Sequence, residues 1–299
     1  MEPLVMRIAG FIVSPLLALV IGIFFLGLAK KIMARIHWRY GPPITQPIID
    51  VIRFFSQRSV SHGPLFDLGV VLSLAGSLVV LLFIPLGGIH PLSGSGGLLV
   101  ILYLMLLAPL GIALSAAEGA NPNISIGISR TFLLMMGYEV PLLLVLLAVM
   151  TEYQTISIVR IVEAQREAGI ALFSIPTVLS GVAYILILPA ILGVRPFDVA
   201  QAAQEISSGP MVEYGGPYLA LATIQHALNL VIGISLFVDL FLGGAGNPLT
   251  FFLKMLAVFV LGLFVNAVMP RFRIEQAVRY LWGWPTLLAL IGLIVVMVI

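Results

Sequence analysis

Three carboxylates, Asp198, Glu205 and Glu213, lie within one short polar stretch of an otherwise apolar chain. Asp198 and Glu205 are seven residues apart, so on a helix they would share a face, with the amide of Gln201 between them. Carboxyl groups joined through water can pass protons, and the proximity of like charges raises the pKa of one group toward neutrality. The stretch therefore predicts a proton or cation path, with a solvated loop face as the alternative.

Ionisable residues inside apolar runs are a second set of candidates, because each costs about 2.5–3.5 kcal/mol at the centre of a bilayer. Glu139 precedes Pro141, whose missing N–H frees a carbonyl of the preceding turn, so we predict a proton or cation station there. His226 has an ordinary pKa of about 6.5, which suits a proton relay. A simple hydrogen bond from His226 to a neighbouring helix is equally open.

Asp239 and Lys254 flank a turn that contains three glycines. They either form an ion pair that closes an exit or, in the interpretation we favour, extend harmlessly to the membrane interface. Glu118 lies at the end of an apolar run beside a polar loop. We interpret it first as a solvated helix end and second as the entrance of a path.

A membrane scaffold must position these residues, since 61% of the 299 residues are hydrophobic, 9% are charged and the mean hydropathy is +1.16. A bilayer core about 30 Å thick is spanned by roughly 20 apolar residues in a helix. The sequence thus predicts an all-α integral membrane protein, a single polytopic domain over residues 1–299. Its eight spans are expected near 9–29, 67–86, 98–117, 131–150, 171–192, 219–242, 249–269 and 281–299.

Most Lys and Arg residues fall in the connections after the odd-numbered spans. By the positive-inside rule these connections, near 30–66, 118–130, 193–218 and 270–280, face the cytoplasm, and both termini face outward. We expect a multi-pass protein of a prokaryotic cell membrane. The net charge of +2 is then a topology signal, and nothing in the sequence suggests a nucleic-acid partner.

An amphipathic helix is predicted directly after the first span. Gln46, Asp50, Arg53 and Gln57 recur at intervals of four, three and four residues among apolar neighbours, and Pro47 suits the first turn. This pattern is typical of a helix lying on the membrane surface. Asp50 and Arg53 either pair with each other or take part in coupling.

No residue set in the chain predicts a metal or redox centre. The sequence has no cysteine, so thiolate-ligated clusters are excluded. None of the histidines has metal-ligand spacing relative to another: His37, His62, His90 and His226. We therefore assign neither a catalytic residue nor a metal site, and any redox cofactor belongs to partner subunits.

Four motifs follow one another along the chain: Arg39-Tyr40-Gly41-Pro42 leading to Gln46-Pro47-Ile48-Ile49-Asp50, then Gly137-Tyr138-Glu139-Val140-Pro141, then Arg195-Pro196-Phe197-Asp198 with Glu205 and Glu213-Tyr214, and finally Pro270-Arg271-Phe272-Arg273 with Gln276 and Arg279. Together they resemble the NADH dehydrogenase subunit 1 family. That resemblance implies the membrane subunit that joins a peripheral redox arm to an ion-pumping arm in respiratory complex I and in membrane-bound [NiFe] hydrogenases.

The short connection between Gly41-Pro42 and Gln46-Pro47 resembles the hydrogenase-related branch of the family. It implies a complex that oxidises ferredoxin or a similar donor and moves H⁺ or Na⁺. The implied partners are hydrophilic redox subunits with Fe–S clusters and, for a hydrogenase, a NiFe centre, together with antiporter-like and small membrane subunits. Gln201, Ala203 and Gln225 stand where the quinone-using branch carries glutamates.

Alternative functions are a quinone-site-forming subunit of a complex I-type enzyme, a sulfur-reducing relative, an autonomous secondary transporter and a passive anchor. Under the favoured interpretation the residues fall into two sets. The ion-translocation set is Glu118, Glu139, Asp198, Glu205, Glu213, His226, Asp239 and Lys254. The set expected to dock the peripheral arm is Arg39, Asp50, Arg53, Arg195, Arg271, Arg273 and Arg279.

Overall fold

The computed structural model describes residues 4–89, 91–92 and 97–298, and within these ranges the regular elements are helices. An isolated bridge between Leu86 and Ile89 accompanies them. The α-helices are α1 (Leu4–Ile36), α2 (Gln46–Phe55), α3 (Pro64–Phe83), α4 (Leu98–Met105), α5 (Leu107–Ala116), α6 (Pro122–Glu152), α7 (Ile158–Ala168), α8 (Val178–Ile191), α9 (Ala203–Ile206), α10 (Gly216–Phe241), α11 (Pro248–Val268), α12 (Ile274–Trp282) and α13 (Trp284–Val298).

Seven helical segments among the described residues are long and apolar enough to cross a membrane, which confirms the all-α membrane class. They are Ala9–Ile36, Pro64–Phe83, Leu98–Ala116, Pro122–Glu152, Gly216–Phe241, Pro248–Val268 and Ile274–Val298. The predicted span 171–192 differs, because it consists of a 3₁₀ turn over Ala171–Phe173 followed by α8, which has 14 residues. Pro176, which has no N–H to donate, lies between the two pieces.

Two of the predicted loops are shorter than expected because helix caps start the next helix early. The loop expected over 118–130 ends at Asn121, whose side chain accepts a 3.0 Å hydrogen bond from the Asn123 N–H at the start of α6. The loop expected over 270–280 ends at Arg273, whose N–H donates to the Gln276 side chain at 3.1 Å. The eighth predicted span, 281–299, corresponds to α13 preceded by the end of α12; its last residue, Ile299, lies outside the described residues.

Helix α10 is at the centre of the bundle. All of its residues from 230 to 241 are buried, whereas α11 and α13 each keep apolar side chains exposed on one face. A contiguous exposed apolar face suits contact with lipid or with other membrane subunits. The sequence did not predict α7, an amphipathic helix whose buried residues Ile158, Ile161, Val162 and Gln165 face α10.

Helices α3 and α5 cross at a pair of glycines. A Cβ atom on Gly69 would overlap the backbone nitrogen of Ser115, and one on Gly111 would overlap that of Ser73. Small residues four apart on both helices therefore allow the backbones to touch, as in other tightly packed membrane helices. The crossing fixes Ser115, whose hydroxyl forms a short hydrogen bond with the Tyr214 hydroxyl.

Candidate functional site

The polar segment 195–215, called here the acidic loop, has little regular structure. Glu205 lies on the single turn α9, while Asp198 precedes it in a non-helical turn, and Ser207 ends α9 with a left-handed φ of 51°. The prediction that Asp198 and Glu205 share a helix face is therefore wrong. Instead Arg271 joins them: its guanidinium lies 2.8 Å from Asp198 Oδ2 and 3.8 Å from Glu205 Oε1.

A second arginine holds the same loop from α6. Arg130 donates to Glu205 Oε2 at 2.9 Å and to the Val199 carbonyl at 3.4 Å. The Phe272 N–H also donates to the Pro196 carbonyl at 2.9 Å, and the Phe272 ring packs edge-on against Phe197. The loop thus takes its shape from arginines and backbone on two other elements.

These arginines favour the ionised form of Glu205. The hydrogen bond from Arg130, and then the charges of Arg130 and Arg271, hold the pKa of Glu205 below its usual value of 4.5. The expected rise in a carboxyl pKa toward neutrality is wrong for Glu205, because the nearest charges are cations. Glu205 is accordingly an anchoring anion at neutral pH.

We expect acid to loosen the acidic loop. The lowered pKa of Glu205 contributes stability that is present above pH 4.5 and is lost as the pH falls through the folded-state pKa. Amide hydrogen exchange of residues 195–215, measured from about pH 6 to about pH 3 and corrected for intrinsic exchange rates, should show protection lost at the acid end. The Glu205→Gln variant should lack this acid step; an identical acid step in that variant would contradict the assignment.

Glu213 and Glu118 both bind backbone N–H groups. Glu213 Oε1 accepts from Ala120 at 3.2 Å and from Asn121 at 3.1 Å, while its Oε2 is buried with no hydrogen-bond partner among the described residues. Glu118 Oε2 accepts from the Phe66 N–H at 2.7 Å, in the first turn of α3. Glu118 is thus half-buried and caps another helix, which corrects the interpretation of a solvated end.

Two neighbouring cavities are lined by residues of the acidic loop. The inner cavity, of about 140 Å³, is lined by Tyr138, Asp198, Gln201, His226 and Asn229 among others. The outer cleft, of about 710 Å³, shares Asp198, Gln201 and His226 and adds the basic residues His37, Arg39 and Arg195. His226 is half-buried and forms no hydrogen bond with the described residues, so the alternative of a bond to a neighbouring helix is not made there.

Glu139 lies half-buried on α6 beside Tyr138, which lines the inner cavity. It makes no hydrogen bond or ion pair with the described residues, and Pro141 sits inside α6 without ending it. A carboxyl with no structural partner in a membrane span is a functional candidate by default. Its role as an ion station stays a prediction.

Asp239 and Lys254 behave differently from the favoured interpretation. Asp239 is 1% exposed, so it does not extend to the interface. Lys254 is half-buried and donates to the Leu242 and Gly244 carbonyls, each at 2.6 Å, and it makes no ion pair with Asp239. The alternative of a closed ion pair is therefore also absent, because backbone carbonyls take up the ammonium.

The residues expected to dock a peripheral arm divide into two groups. Exposed arginines that form no ion pair with the described residues are Arg39, Arg195, Arg273 and Arg279. The other three have partners within the chain. Asp50 lies 3.3 Å from Arg53 and 3.8 Å from Lys30 and accepts from Gln46 at 2.9 Å, which confirms the pairing alternative. Arg271 points inward to the acidic loop and is not a free docking group.

Sequence reasoning missed two side chains that organise this region. Asp67 accepts hydrogen bonds from Tyr218 at 2.6 Å and Ser61 at 2.8 Å, tying α3 to the start of α10. Arg130, whose place in the sequence indicates only topology, anchors the acidic loop. Asp67 stands in the first turn of a helix, where acids are common, so its type and position gave no distinguishing signal.

Among the described residues no group of three or more His, Asp or Glu side chains could hold a metal ion; His90 lies outside them. The fold and this site define a class: a polytopic helical membrane subunit whose polar cavities lie under a charged loop pinned by arginines. The chain belongs to the NADH dehydrogenase family, because a family model described as "NADH dehydrogenase" matches residues 8–297. The resemblance to this family is thereby confirmed.

Known relatives come from several respiratory and hydrogenase complexes. Hydrogenase-4 component C of Escherichia coli (strain K12) is 32% identical, with 83% of each chain covered. Formate hydrogenlyase subunit 4 of the same strain is 30% identical, with 94% of each covered. A chain in the structure of the membrane-bound sulfane sulfur reductase, an archaeal respiratory membrane complex, is 38% identical with a TM-score of 0.93, covering 97% of this chain and 99% of that one.

Proposed function

We propose that this chain is the membrane subunit of a redox-driven ion pump in a prokaryotic cell membrane. It docks a peripheral electron-transfer arm and couples the oxidation of ferredoxin or a similar donor to translocation of H⁺ or Na⁺. Its family and its relatives in hydrogenase and respiratory complexes support this function. In this proposal the redox cofactors belong to the partner subunits: Fe–S clusters and, for a hydrogenase, a NiFe centre.

The observation that carries the proposal is that the two cavities share Asp198, Gln201 and His226 in their linings. The outer cleft begins among basic side chains where an arm would dock, and the inner cavity continues between the spans. At 10–15 Å³ for each water centre, an inner cavity of about 140 Å³ holds on the order of ten waters. This size suits waters rather than a quinone in the inner cavity, since small-molecule sites usually occupy about 300–1,000 Å³; the outer cleft, at about 710 Å³, falls within that range.

The titratable groups divide between anchoring and transfer. Glu118, Glu205 and Glu213 bind backbone or arginine partners, so they fix the loops around the cavities. Asp198 and His226 line both cavities, and we assign them to ion transfer together with Glu139. Asp198 belongs to both groups, because it also binds Arg271 at 2.8 Å. Protons can pass between such groups along bridging waters.

The docking surface in this proposal consists of exposed arginines. Arg39 and Arg195 line the outer cleft, and Arg273 and Arg279 precede and follow the first turns of α12, with Arg53 at the paired Asp50. A cationic surface fits an acidic face on a hydrophilic redox subunit, and charge complementarity of this kind mainly sets orientation and rate of association. The exposed apolar faces of α11 and α13 are assigned to lipid and to antiporter-like or small membrane subunits.

The Asp198→Asn variant tests the proposed route. Asparagine keeps the size of the side chain and removes its titration, so ion movement per donor oxidised in sealed vesicles should fall at least about tenfold. Donor oxidation by the detergent-solubilised complex should remain. Glu163→Gln, which alters an exposed carboxyl on α7, is the matched control. Unchanged ion movement in Asp198→Asn would refute the route.

A sulfur compound is a second candidate for the electron acceptor, favoured by the 38% identity to a chain of the membrane-bound sulfane sulfur reductase. A tag on this chain allows the native complex to be purified. Mass spectrometry and a metal assay of the purified complex then distinguish a hydrogenase, a sulfur or quinone reductase and a transporter. Nickel with iron in the co-purifying subunits would support the hydrogenase, and iron without nickel would support the sulfur or quinone reductase. A metal-free protein without partners would overturn the proposed function in favour of a transporter.

A further inference from the structure

Asp239 is a buried carboxyl that the proposed route does not use. It lies in the last turn of α10, is 1% exposed, and neither of its oxygens has a hydrogen-bond partner among the described residues. A carboxylate without donors is strongly disfavoured in a low-dielectric interior. A carboxylic acid at the same place has no charge to solvate, so this environment selects the protonated form.

The donors near Asp239 are occupied by backbone carbonyls. Gln165 donates to the carbonyls of Asp239 and Leu240 at 3.0 and 2.9 Å, and Lys254 donates to those of Leu242 and Gly244 at 2.6 Å each. These bonds satisfy the C-terminal end of α10. That end carries the negative pole of the helix dipole, which further disfavours a negative charge on the Asp239 side chain.

A glycine turn and α7 cover the carboxyl. Gly243 and Gly244 have left-handed φ values of 69° and 51°, and a Cβ on Gly244 would lie 2.9 Å from Asp239 Oδ1 and 2.8 Å from a methyl group of Val162. The charged groups that act on Asp239 from the elements packed about it are Lys254 on α11 and the exposed Arg166 on α7. Lys254 binds the carbonyl of Gly244, the glycine whose added Cβ would lie 2.9 Å from Asp239 Oδ1, so the ammonium is held at the turn that covers the carboxyl.

The position of Asp239 suits the far end of a route. His226 and Asp239 lie on the same helix, 13 residues apart, which corresponds to about 20 Å along the axis. His226 lines the cavities under the acidic loop and lies ten residues after the start of α10, whereas Asp239 lies two residues before its end. Asp239 therefore lies near the opposite membrane face.

We propose that Asp239 is a proton-carrying carboxyl at the exit of the pump, and that Lys254 controls its ionisation. While the Lys254 ammonium is held by the Leu242 and Gly244 carbonyls, Asp239 keeps its proton. When the ammonium moves to Asp239, the O–H bond of the acid breaks, the proton passes to water at that face, and Lys254 balances the charge left behind. This inference deepens the proposed function and rests on it.

The test uses the whole complex purified with variants of this chain. Infrared spectra at neutral pH should contain the carbonyl band of a protonated carboxyl that disappears in Asp239→Asn and persists in Glu163→Gln. In sealed vesicles, proton movement per donor oxidised should fall at least about tenfold in Asp239→Asn and Lys254→Gln, with partial recovery in Lys254→Arg. Donor oxidation in detergent should stay at the wild-type level.

Several outcomes would overturn the inference. Proton movement at the wild-type level in Asp239→Asn would show that Asp239 is not part of the exit. Absence of the infrared carbonyl band that Asp239→Asn should remove would show that the Asp239 carboxyl is ionised. Loss of the band on adding sodium ions, with sodium-dependent transport, would replace the proton by a metal cation. Wild-type vesicles that move no ions would instead refute the proposed function, while the infrared band still reports on Asp239 by itself.

Discussion

Replacement of Arg271 by alanine is expected to free the acidic loop and release the peripheral arm from the complex. Arg271 is 19% exposed and is the group that joins Asp198 and Glu205. Its removal leaves Asp198 without a cationic partner and exposes two carboxylates to each other's charge. For a network that is partly exposed, we expect a local loss of about 1–3 kcal/mol, less than for a fully buried pair.

Hydrogen exchange of residues 195–215 should then accelerate at least about tenfold, which corresponds to about 1.4 kcal/mol. Native gels should show the membrane part separated from the redox subunits. Arg271→Lys keeps the charge but loses the planar guanidinium that reaches two carboxylates. This variant should therefore restore only part of the hydrogen-exchange protection and only part of the intact complex on native gels. Arg58→Ala, at an exposed arginine with no partner among the described residues, is the control. An intact complex with a protected loop in Arg271→Ala would refute this anchor.

Replacement of Gly111 by valine should cost more than about 3 kcal/mol and reduce the amount of folded protein in the membrane. Overpacking usually costs about 1–3 kcal/mol because side chains can move aside. Here the atoms in the way are the Ser73 backbone nitrogen and the Gly69 carbonyl on α3, so the two helices themselves must separate. Separation of α3 and α5 would also pull Ser115 away from Tyr214.

Thermal unfolding in detergent and the yield of chromatographically monodisperse protein measure this effect. Gly262→Ala is a suitable comparison, because its new Cβ would meet only a Leu192 methyl group at 3.4 Å, an ordinary contact. Gly111→Val should lie far below Gly262→Ala in both measurements. Equal stability of the two variants would show that the α3–α5 crossing tolerates a wider spacing.

The sequence predicted the spans well because length and hydropathy alone decide which segments enter a bilayer. The prediction of helix boundaries was less reliable where a proline or a helix cap acted against the composition of the surrounding segment. Pro176 breaks the fifth apolar run, and Asn121 caps α6 earlier than the polar composition of residues 118–130 suggested. The helix α7 escaped prediction because its apolar residues are too few to stand out beside the neighbouring spans.

The charged residues show where sequence reasoning reached its limit. Spacing suggested a shared helix face for Asp198 and Glu205, but their common partner, Arg271, is distant in sequence and no local pattern announces it. The same holds for Asp239, whose burial depends on α7 and on the turn after α10. Tertiary contacts of this kind set the charge state of a residue, and only the folded arrangement reveals them.

The contact between Arg271 and Asp198 joins residues 73 positions apart, and its arginine comes just before the last two helices. During synthesis Arg130 and the acidic loop are therefore made before Arg271 exists. A chain that is still emerging from the ribosome at this stage has Arg130 to hold Glu205, but its Asp198 lacks the cationic partner. The acidic loop thus reaches its final shape only when nearly the whole subunit has been made.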